Sequence, residues 1–513
     1  MLSRSYSVAF TGINAHLVTV EANVGAGLPG TYIVGLADKS VAESRDRIKI
    51  ATLNSGFQWP KAKTLVSLSP AALRKSGSHF DVAMAVAILA AGGGLSHPIN
   101  DTLATTVFLG ELGLDGALKP VRGVLPALME AQRVGLTRAV IPLANSGEAG
   151  LISGMRVFGA TTLAEVIAFA CGEVSLPECS GQHLDTSTRP GAKDFADVVG
   201  QPEARFAAEV AAAGGHHFLM IGPPGSGKSM VATRLPSILP PLTHDEILEA
   251  TTVHSVAGRT YGGPVTQAPF VAPHYSVTRA ALLGGGSGIP RPGAVSLAHH
   301  GVLFLDEVSE VSAATLDGLR TPLELGHVRL IRANGDVYFP ASFQLVMAAN
   351  PCRCGAEITE QCRCSVDARN RYLTNLSGPL RDRLDLIVRT RAKGARLKTE
   401  VQESSQVIRE RVCAARQRAR WRWEKAGLEV QKNAEIPGAI LRREYPANDE
   451  AMAYLEVFLG EGAISQRGVD RTLKLAWTLA DVDGADRPTL GHVAQAVELH
   501  SGFEDLAVME AVA

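Results

Sequence analysis

Eight consecutive residues, Gly222, Pro223, Pro224, Gly225, Ser226, Gly227, Lys228 and Ser229, have the types and order needed to hold a chain of phosphates. The glycines free the backbone to turn its N–H groups inward around an anion, and a helix opening at once adds the positive end of its dipole. Lys228 is placed to reach the β- and γ-phosphates, and the Ser229 hydroxyl to ligate Mg²⁺. Further along, Gly301-Val-Leu-Phe-Leu runs into Asp306 and Glu307. An apolar run ending in adjacent carboxylates describes a buried strand that delivers its acids at the carboxyl edge of a sheet. Asp306 then suits the metal, and Glu307 suits polarising an attacking water. A third apolar run, Phe343–Ala349, ends in Asn350, a polar tip that suits holding that water or the γ-phosphate. These residue types predict hydrolysis of a nucleoside triphosphate, with ATP and Mg²⁺ as the ligands.

Four thiols, Cys352, Cys354, Cys362 and Cys364, fall within thirteen residues just past Asn350. Thiolates in that number close a tetrahedral Zn²⁺ site and release protons in doing so. The Cys-x-Cys spacing is tighter than the common gap, so two readings stand side by side: a structural zinc, or reduced thiols that only pack. Between residues 389 and 425, 12 Lys and Arg face 4 Asp and Glu, a local charge of +8. There Arg416-Gln-Arg-Ala-Arg-Trp-Arg-Trp423 interleaves cations with indoles, which suits phosphate neutralisation and base stacking. A helix with a solvated basic face and inward-packed tryptophans explains the run equally well.

Positioning these groups requires layered elements, and the chain is long enough to build them. Its 513 residues, at ~100–200 per domain, predict about three domains. A hydrophobic content of 46% with 20% charged residues excludes a disordered chain. The balance of 50 Lys and Arg against 51 Asp and Glu, a net charge of −1, excludes nucleic-acid or acidic-membrane binding over the whole surface, though not at a local patch. Residues 1–172 alternate strand runs such as Tyr6–Phe10, His16–Ala22 and Thr64–Leu68 with helical patterns at Asp81–Ala91, Gly123–Val134 and Leu163–Cys171. Residues 173–192, rich in Pro, Ser, Thr and Gly, read as a linker. In the α/β unit 193–392 the strand His217–Ile221 precedes the phosphate loop and the helix Ser229–Ile238 follows it. From 393 to 513 helical periodicity dominates, giving a helical lid. The long uncharged stretch Val82–Asn100 contains Gly92, Gly93, Gly94 and Pro98, so it reads as a buried helix rather than a membrane span of ~20 apolar residues. With no charged-then-apolar leader at Met1–Gly12 and seven unevenly placed cysteines, the expectation is a cytoplasmic protein without a membrane partner.

Motifs outside the loop narrow this further. They include Val199-Gly200-Gln201, Ala211-Ala-Ala-Gly-Gly-His216, Leu235-Pro-Ser-Ile-Leu-Pro-Pro-Leu242 and His254-Ser-Val-Ala-Gly258. Ala272-Pro-His274, Gly284-Gly-Gly286, Arg291-Pro-Gly293, Leu297-Ala-His299, Asn350-Pro-Cys352 and Ser377-Gly-Pro-Leu-Arg-Asp-Arg383-Leu-Asp385 complete the set. Together they resemble the magnesium-chelatase-like AAA+ ATPases of the ComM/YifB family, over nearly the whole chain. The chain departs from that pattern at Ala268-Pro-Phe-Val271, where the family usually has arginines, and at Arg381, where it usually has leucine. The resemblance implies an α/β fold with a central AAA+ P-loop domain and a C-terminal helical lid. It also implies a homohexameric motor that acts on single-stranded or branched DNA, promoting branch migration in recombination during natural transformation. In that scheme Arg383 is similar to an arginine finger acting in trans, with Arg381 as competitor. Ser465-Gln-Arg467-Gly-Val-Asp-Arg471 resembles the sensor-2 helix, with Arg467 its first candidate for the γ-phosphate and Arg471 its second. A hairpin of His327–Ile331 and Val337–Pro340 about Asn334-Gly335 stands where related ring motors carry a pore hairpin, which would turn Arg329 and Arg332 to the channel.

Residues 1–172 resemble the proteolytic domain of Lon proteases through Leu73-Arg-Lys-Ser-Gly-Ser-His79-Phe-Asp81, Gly110-Glu-Leu112 and Pro120-Val-Arg-Gly-Val-Leu-Pro126. That chemistry needs a serine nucleophile and a lysine base. The resemblance aligns His79 or Phe80 with the serine and Leu125 with the lysine, and leucine takes no proton, so an α+β domain lacking the catalytic dyad is expected. A second function stays open, a remodelling ATPase that drives a metal into a cofactor. Asp185-Thr-Ser187 begins the D-x-S-x-S motif of the chelatase's partner subunit, but Arg189 stands at its last serine.

Overall fold

The computed structural model describes residues 1–36, 38–93, 95, 97, 99–179, 193–260, 263–286, 290–332, 335–356, 362–365, 372, 378–391 and 402–501. The start of the chain forms two long strands, Leu2–Thr11 (β1), whose buried face begins with Ser3, Ser5 and Ser7, and Asn14–Gly25 (β2), which buries Val18, Val20 and Ala22; they pair antiparallel. Around them Gly30–Val34 (β3), Lys63–Ser69 (β4), Thr106–Phe108 (β5), Arg138–Pro142 (β6) and Arg156–Ala160 (β7) complete a seven-stranded sheet of order β3-β4-β2-β1-β5-β6-β7. The pairs β2–β4 and β1–β2 are antiparallel, and β3–β4, β1–β5, β5–β6 and β6–β7 are parallel. The helices Lys39–Asn54 (α1), Asp81–Gly92 (α2), Val124–Arg133 (α3) and Leu163–Ala170 (α4) belong to this unit. Helix α2 has no side-chain N-cap bond, yet ten of its residues are buried. At ~1.5–3 kcal/mol for each large apolar side chain, packing rather than capping holds it. No helix among the described residues is long and apolar enough to cross a membrane.

The phosphate loop belongs to a second sheet, in which every strand is parallel. Its order is Phe270–Val271 (β9), Val302–Leu305 (β10), Gln344–Ala349 (β13), Phe218–Ile221 (β8) and Leu386–Arg389 (β14). All residues of β8, β10 and β13 are buried, the continuous apolar run expected of strands covered on both faces. Helices Pro202–Gly214 (α5), Lys228–Ile238 (α6) and His244–Ala257 (α7) accompany the sheet, and His327–Arg332 (β11) and Gly335–Pro340 (β12) form the hairpin. The C-terminal helices are Ser405–Lys425 (α8), Asp449–Gly460 (α9), Gln466–Asp483 (α10) and Leu490–Ser501 (α11). They share one hydrophobic core with the parallel-sheet unit, running from Phe218 and Val231 through Trp423 and Trp477 to Val493.

The N-terminal unit docks on the parallel-sheet unit through α3 and α7. Gly123 N–H donates to Ser255 O at 3.1 Å, and Ile247 of α7 sits among Val124, Leu128 and Ile152. The segment expected as linker begins packed: Cys179 is buried, and its N–H donates to Val157 O on β7 at 2.7 Å. Asp185, Ser187 and Arg189, the turn residue Asn334 and residues 392–401 lie outside the described residues.

Candidate active site

The loop between β8 and α6 needs its glycines for two different reasons. Gly225 and Gly227 hold φ of +78° and +86°, the left-handed region that L side chains rarely adopt. Gly222 is forced by close approach, since a Cβ there would come within 2.0 Å of Thr390 Oγ1. The loop is pinned from below by Gly222 N–H donating to Ala349 O at 3.1 Å and by a 2.6 Å bond between the Ser226 and Thr390 hydroxyls. Lys228 is buried, and its ammonium donates to Gly222 O at 2.6 Å, Pro223 O at 2.9 Å and Asn350 Oδ1 at 3.2 Å. Burial lowers its pKa, while Asp306 and Glu307 pull the other way. These partners occupy the ammonium where phosphate oxygens would replace them.

The acids arrive as the strand order requires. β10 lies beside β13, and β13 beside β8, so Asp306, Asn350 and the loop share one edge. Ser229 Oγ donates to Asp306 Oδ2 at 2.7 Å, and Asp306 Oδ1 accepts the Glu307 N–H at 2.9 Å. Hydroxyl and carboxylate are the hard oxygen donors that Mg²⁺ selects. Glu307 is exposed and holds φ of +47°, a left-handed conformation that a non-glycine residue keeps only when its surroundings impose it. Sequence reasoning passed over two contributors here. Gln201, at φ +53°, donates to Arg391 O at 2.6 Å and so ties the segment before α5 to the end of β14. Tyr372, buried, brings its phenol close to Asn350 and Ser309. Gln201 stood inside a quoted motif; nothing local marked Tyr372.

The two arginines gather elsewhere in the contact pattern. Arg383 ion-pairs with Glu324, and Arg467, 79% exposed, reaches Asp382 at 3.3 Å. Burial and the neighbouring charges of Arg320, Arg467 and Arg471 push the Arg383 pKa down, so four guanidinium groups crowd one place. A buried lattice braces it from beneath. His216 Nδ1 meets Asp385 at 3.1 Å and His216 Nε2 meets Thr478 of α10 at 2.7 Å.

Of the two readings of the basic run on α8, the partners of its cations fit the packed helix, since each of its arginines has a protein partner. Arg416 donates to Ala212 O at 2.9 Å, Arg409 to Ser237 O at 2.8 Å and Arg418 to Asp481 O. Arg411 pairs with Glu209 and Glu403, Arg420 with Glu424, and Arg422 with Asp481. Trp423 is fully buried and donates its indole N–H to Asn433 Oδ1 at 2.9 Å; Trp421 is the exposed one, at 65%. On the hairpin, Arg329 pairs with Asp336 and lies over the Tyr338 ring. Arg332 is exposed, and the hairpin rests against the β1–β2 turn, where Val337 abuts Gly12. In the N-terminal unit His79 and Leu125 are buried in the core. Ser76 and Ser78 donate to Asp38 and Glu111, and the buried Lys75 to Pro70 O.

Two clusters have metal-ligand types. The Sγ atoms of Cys352, Cys354, Cys362 and Cys364 all lie within 4.8 Å of one another, as do ligand atoms of Glu249, His299 and His300. The second is a proton-sharing cluster. His299 Nδ1 accepts the Ser342 N–H at 3.0 Å, so its Nε2 keeps the proton and donates to Glu249 at 3.1 Å.

Comparison with known proteins places the chain. Three family descriptions match in sequence: "Subunit ChlI of Mg-chelatase" over residues 20–145, "Magnesium chelatase, subunit ChlI" over 194–397 and "Magnesium chelatase, subunit ChlI C-terminal" over 402–500. An uncharacterized protein of Mycobacterium tuberculosis is 47% identical over 97% of this chain and 98% of its own length. The protein YifB of Escherichia coli is 39% identical over 97% and 96%, and the competence protein ComM of Haemophilus influenzae 38% identical over 96% of both. A Lon protease of Rhizobium meliloti is 28% identical over 33% of this chain and 22% of its own.

Proposed function

Because this chain belongs to the magnesium-chelatase-like YifB/ComM family of AAA+ ATPases, we propose that it is a homohexameric motor that hydrolyses ATP to move DNA strands, of branch-migration type. The observation that carries the ATPase reading is the convergence of Lys228, Ser229, Asp306, Glu307 and Asn350 on the carboxyl edge of one parallel sheet. In this reading the loop amides and Lys228 bind the phosphates, and Ser229 Oγ and Asp306 are the protein oxygens offered to Mg²⁺. That ion would neutralise charge on the phosphate oxygens. Glu307 takes the proton of the attacking water, and Asn350 orients that water against the γ-phosphate. Arg383, paired here with Glu324, serves the ATP of a neighbouring subunit in trans, and Arg467, paired with Asp382, is the sensor-2 arginine that contacts a γ-phosphate. The N-terminal unit is a scaffold without protease activity, since neither Ser76 nor Ser78 is bonded to a lysine and Leu125 is core. Cys352, Cys354, Cys362 and Cys364 hold one structural zinc.

The DNA reading draws on similarity to a competence protein along both full lengths and on the hairpin bearing Arg329 and Arg332. It also extends to a role in recombination during DNA uptake, in the cytoplasm. The matched magnesium chelatase descriptions favour the second reading, a remodelling ATPase for metal insertion. ATPase rates with single-stranded, duplex and forked DNA over a salt series separate the two. The motor is expected to be stimulated by DNA, with a stimulation that weakens as salt rises. No stimulation by any of the three transfers the assignment to remodelling.

A further inference from the structure

The four cysteines sit against the ATP site, not apart from it. Cys352 follows Asn350 by two residues, and Asn350 Oδ1 accepts from Lys228 Nζ at 3.2 Å. The chain turns at once: Gly355 N–H donates to Cys352 O at 3.0 Å, and Gly355 holds φ of +72°. This turn is pressed on the phosphate loop, for a methyl group at position 355 would come within 2.8 Å of Pro224 Cδ. Beyond the last cysteine, the buried Tyr372 brings its phenol close to Asn350. The cluster therefore lies between the turn that follows Asn350 and the residue, Tyr372, that comes back beside it.

The sulfurs themselves favour a metal over packed thiols. Cys352 to Cys354 is 3.0 Å, Cys354 to Cys362 3.5 Å and Cys362 to Cys352 3.4 Å, and all four cysteines are free. Around a Zn²⁺ with bonds of ~2.3 Å, tetrahedral geometry sets sulfurs ~3.8 Å apart, a small expansion of what is seen. Packing alone gives no reason for the convergence, because Cys354 is exposed and Cys362 and Cys364 are only half-buried.

We propose that Cys352, Cys354, Cys362 and Cys364 bind one Zn²⁺ as a tetrathiolate, and that this ion latches Asn350 and the Cys352–Gly355 turn against the phosphate loop. The proposal rests on the reading of that loop as an ATP site. The cysteines are positioning residues: the loop amides and Lys228 still hold the phosphates without them, but Asn350 loses its fixed aim. Loss of zinc then lowers turnover while leaving affinity for ATP.

The test is metal analysis of the full-length protein, purified reduced, alongside ATPase kinetics. One zinc per chain is expected, and Co²⁺ refolded in its place should give the visible absorption of tetrahedral thiolate coordination. Cys362→Ser/Cys364→Ser should lose the zinc and about 10–100-fold in kcat, with KM for ATP unchanged. Stripping zinc from the wild-type chain with a chelator should do the same, which covers the case of a variant that fails to fold. Lys228→Ala should keep its zinc while losing nucleotide. A chain that hydrolyses ATP with well under one zinc, or one whose kcat survives zinc removal, overturns the latch alone. A chain that holds zinc but neither binds nor hydrolyses ATP overturns the ATP reading and the latch with it.

Discussion

Lys228 gives its N–H groups to Gly222 O, Pro223 O and Asn350 Oδ1, so the ammonium is already satisfied before any phosphate arrives. Burial makes that charge costly without partners, and a triphosphate is the partner that would replace these contacts with a charge of opposite sign. Lys228→Ala should accordingly abolish ATP binding in equilibrium titration. Glu307 behaves differently because it is exposed and points from a left-handed backbone position beyond the strand end. A Glu307→Gln side chain keeps the shape and loses the proton acceptor. The variant should bind ATP normally and hydrolyse it about 10²–10⁴-fold more slowly. Hydrolysis at the wild-type rate would remove Glu307 from the role of base.

Helix α8 shows what an element can hide. Arg409, Arg416 and Arg418 donate to Ser237 O, Ala212 O and Asp481 O, carbonyls in the last turns of α6, α5 and α10. The final carbonyls of a helix have no intrahelical partner and carry the negative end of its dipole, so one basic helix caps three others. Arg416→Ala should lower the unfolding free energy by about 1–3 kcal/mol in urea titration and leave DNA affinity unchanged. Weakened DNA binding at unchanged stability would restore the nucleic-acid role to this face. The same element explains what sequence could and could not tell. The phosphate loop was legible because its determinants are eight neighbours, and Asp306 and Asn350 because fully buried parallel strands read as apolar runs with polar ends. The partners of Arg416 were not, since a backbone carbonyl 204 residues away leaves no mark on residue type. Tyr372 on Asn350 and Thr390 under Ser226 are hidden for the same reason.

On the scale of the whole molecule, two units carry a histidine that folding keeps neutral. Burial lowers His79 in the N-terminal unit and His217 in the parallel-sheet unit to about 4, and His217 Nδ1 is occupied accepting the Leu345 N–H at 3.0 Å. With folded values below the unfolded ~6.5, each contributes stability that is fully present above pH ~6.5 and lost as pH falls toward 4, roughly 3 kcal/mol apiece. Denaturation midpoints should therefore drop across that window, and a flat profile would contradict imidazoles held neutral by the fold. The ring itself is tested by complementation. A Lys228→Ala subunit keeps Arg383, and an Arg383→Ala subunit keeps the phosphate loop. If Arg383 serves the neighbour's ATP, each protein alone is inactive, the finger being worth ~10³–10⁵ in rate. Mixed rings would then contain interfaces that pair an intact loop with an intact finger, and the mixture should recover a fraction of wild-type ATPase. If Arg383 instead serves its own subunit, every site in the mixture lacks one group and the rate stays at background, whatever the ratio of the two proteins.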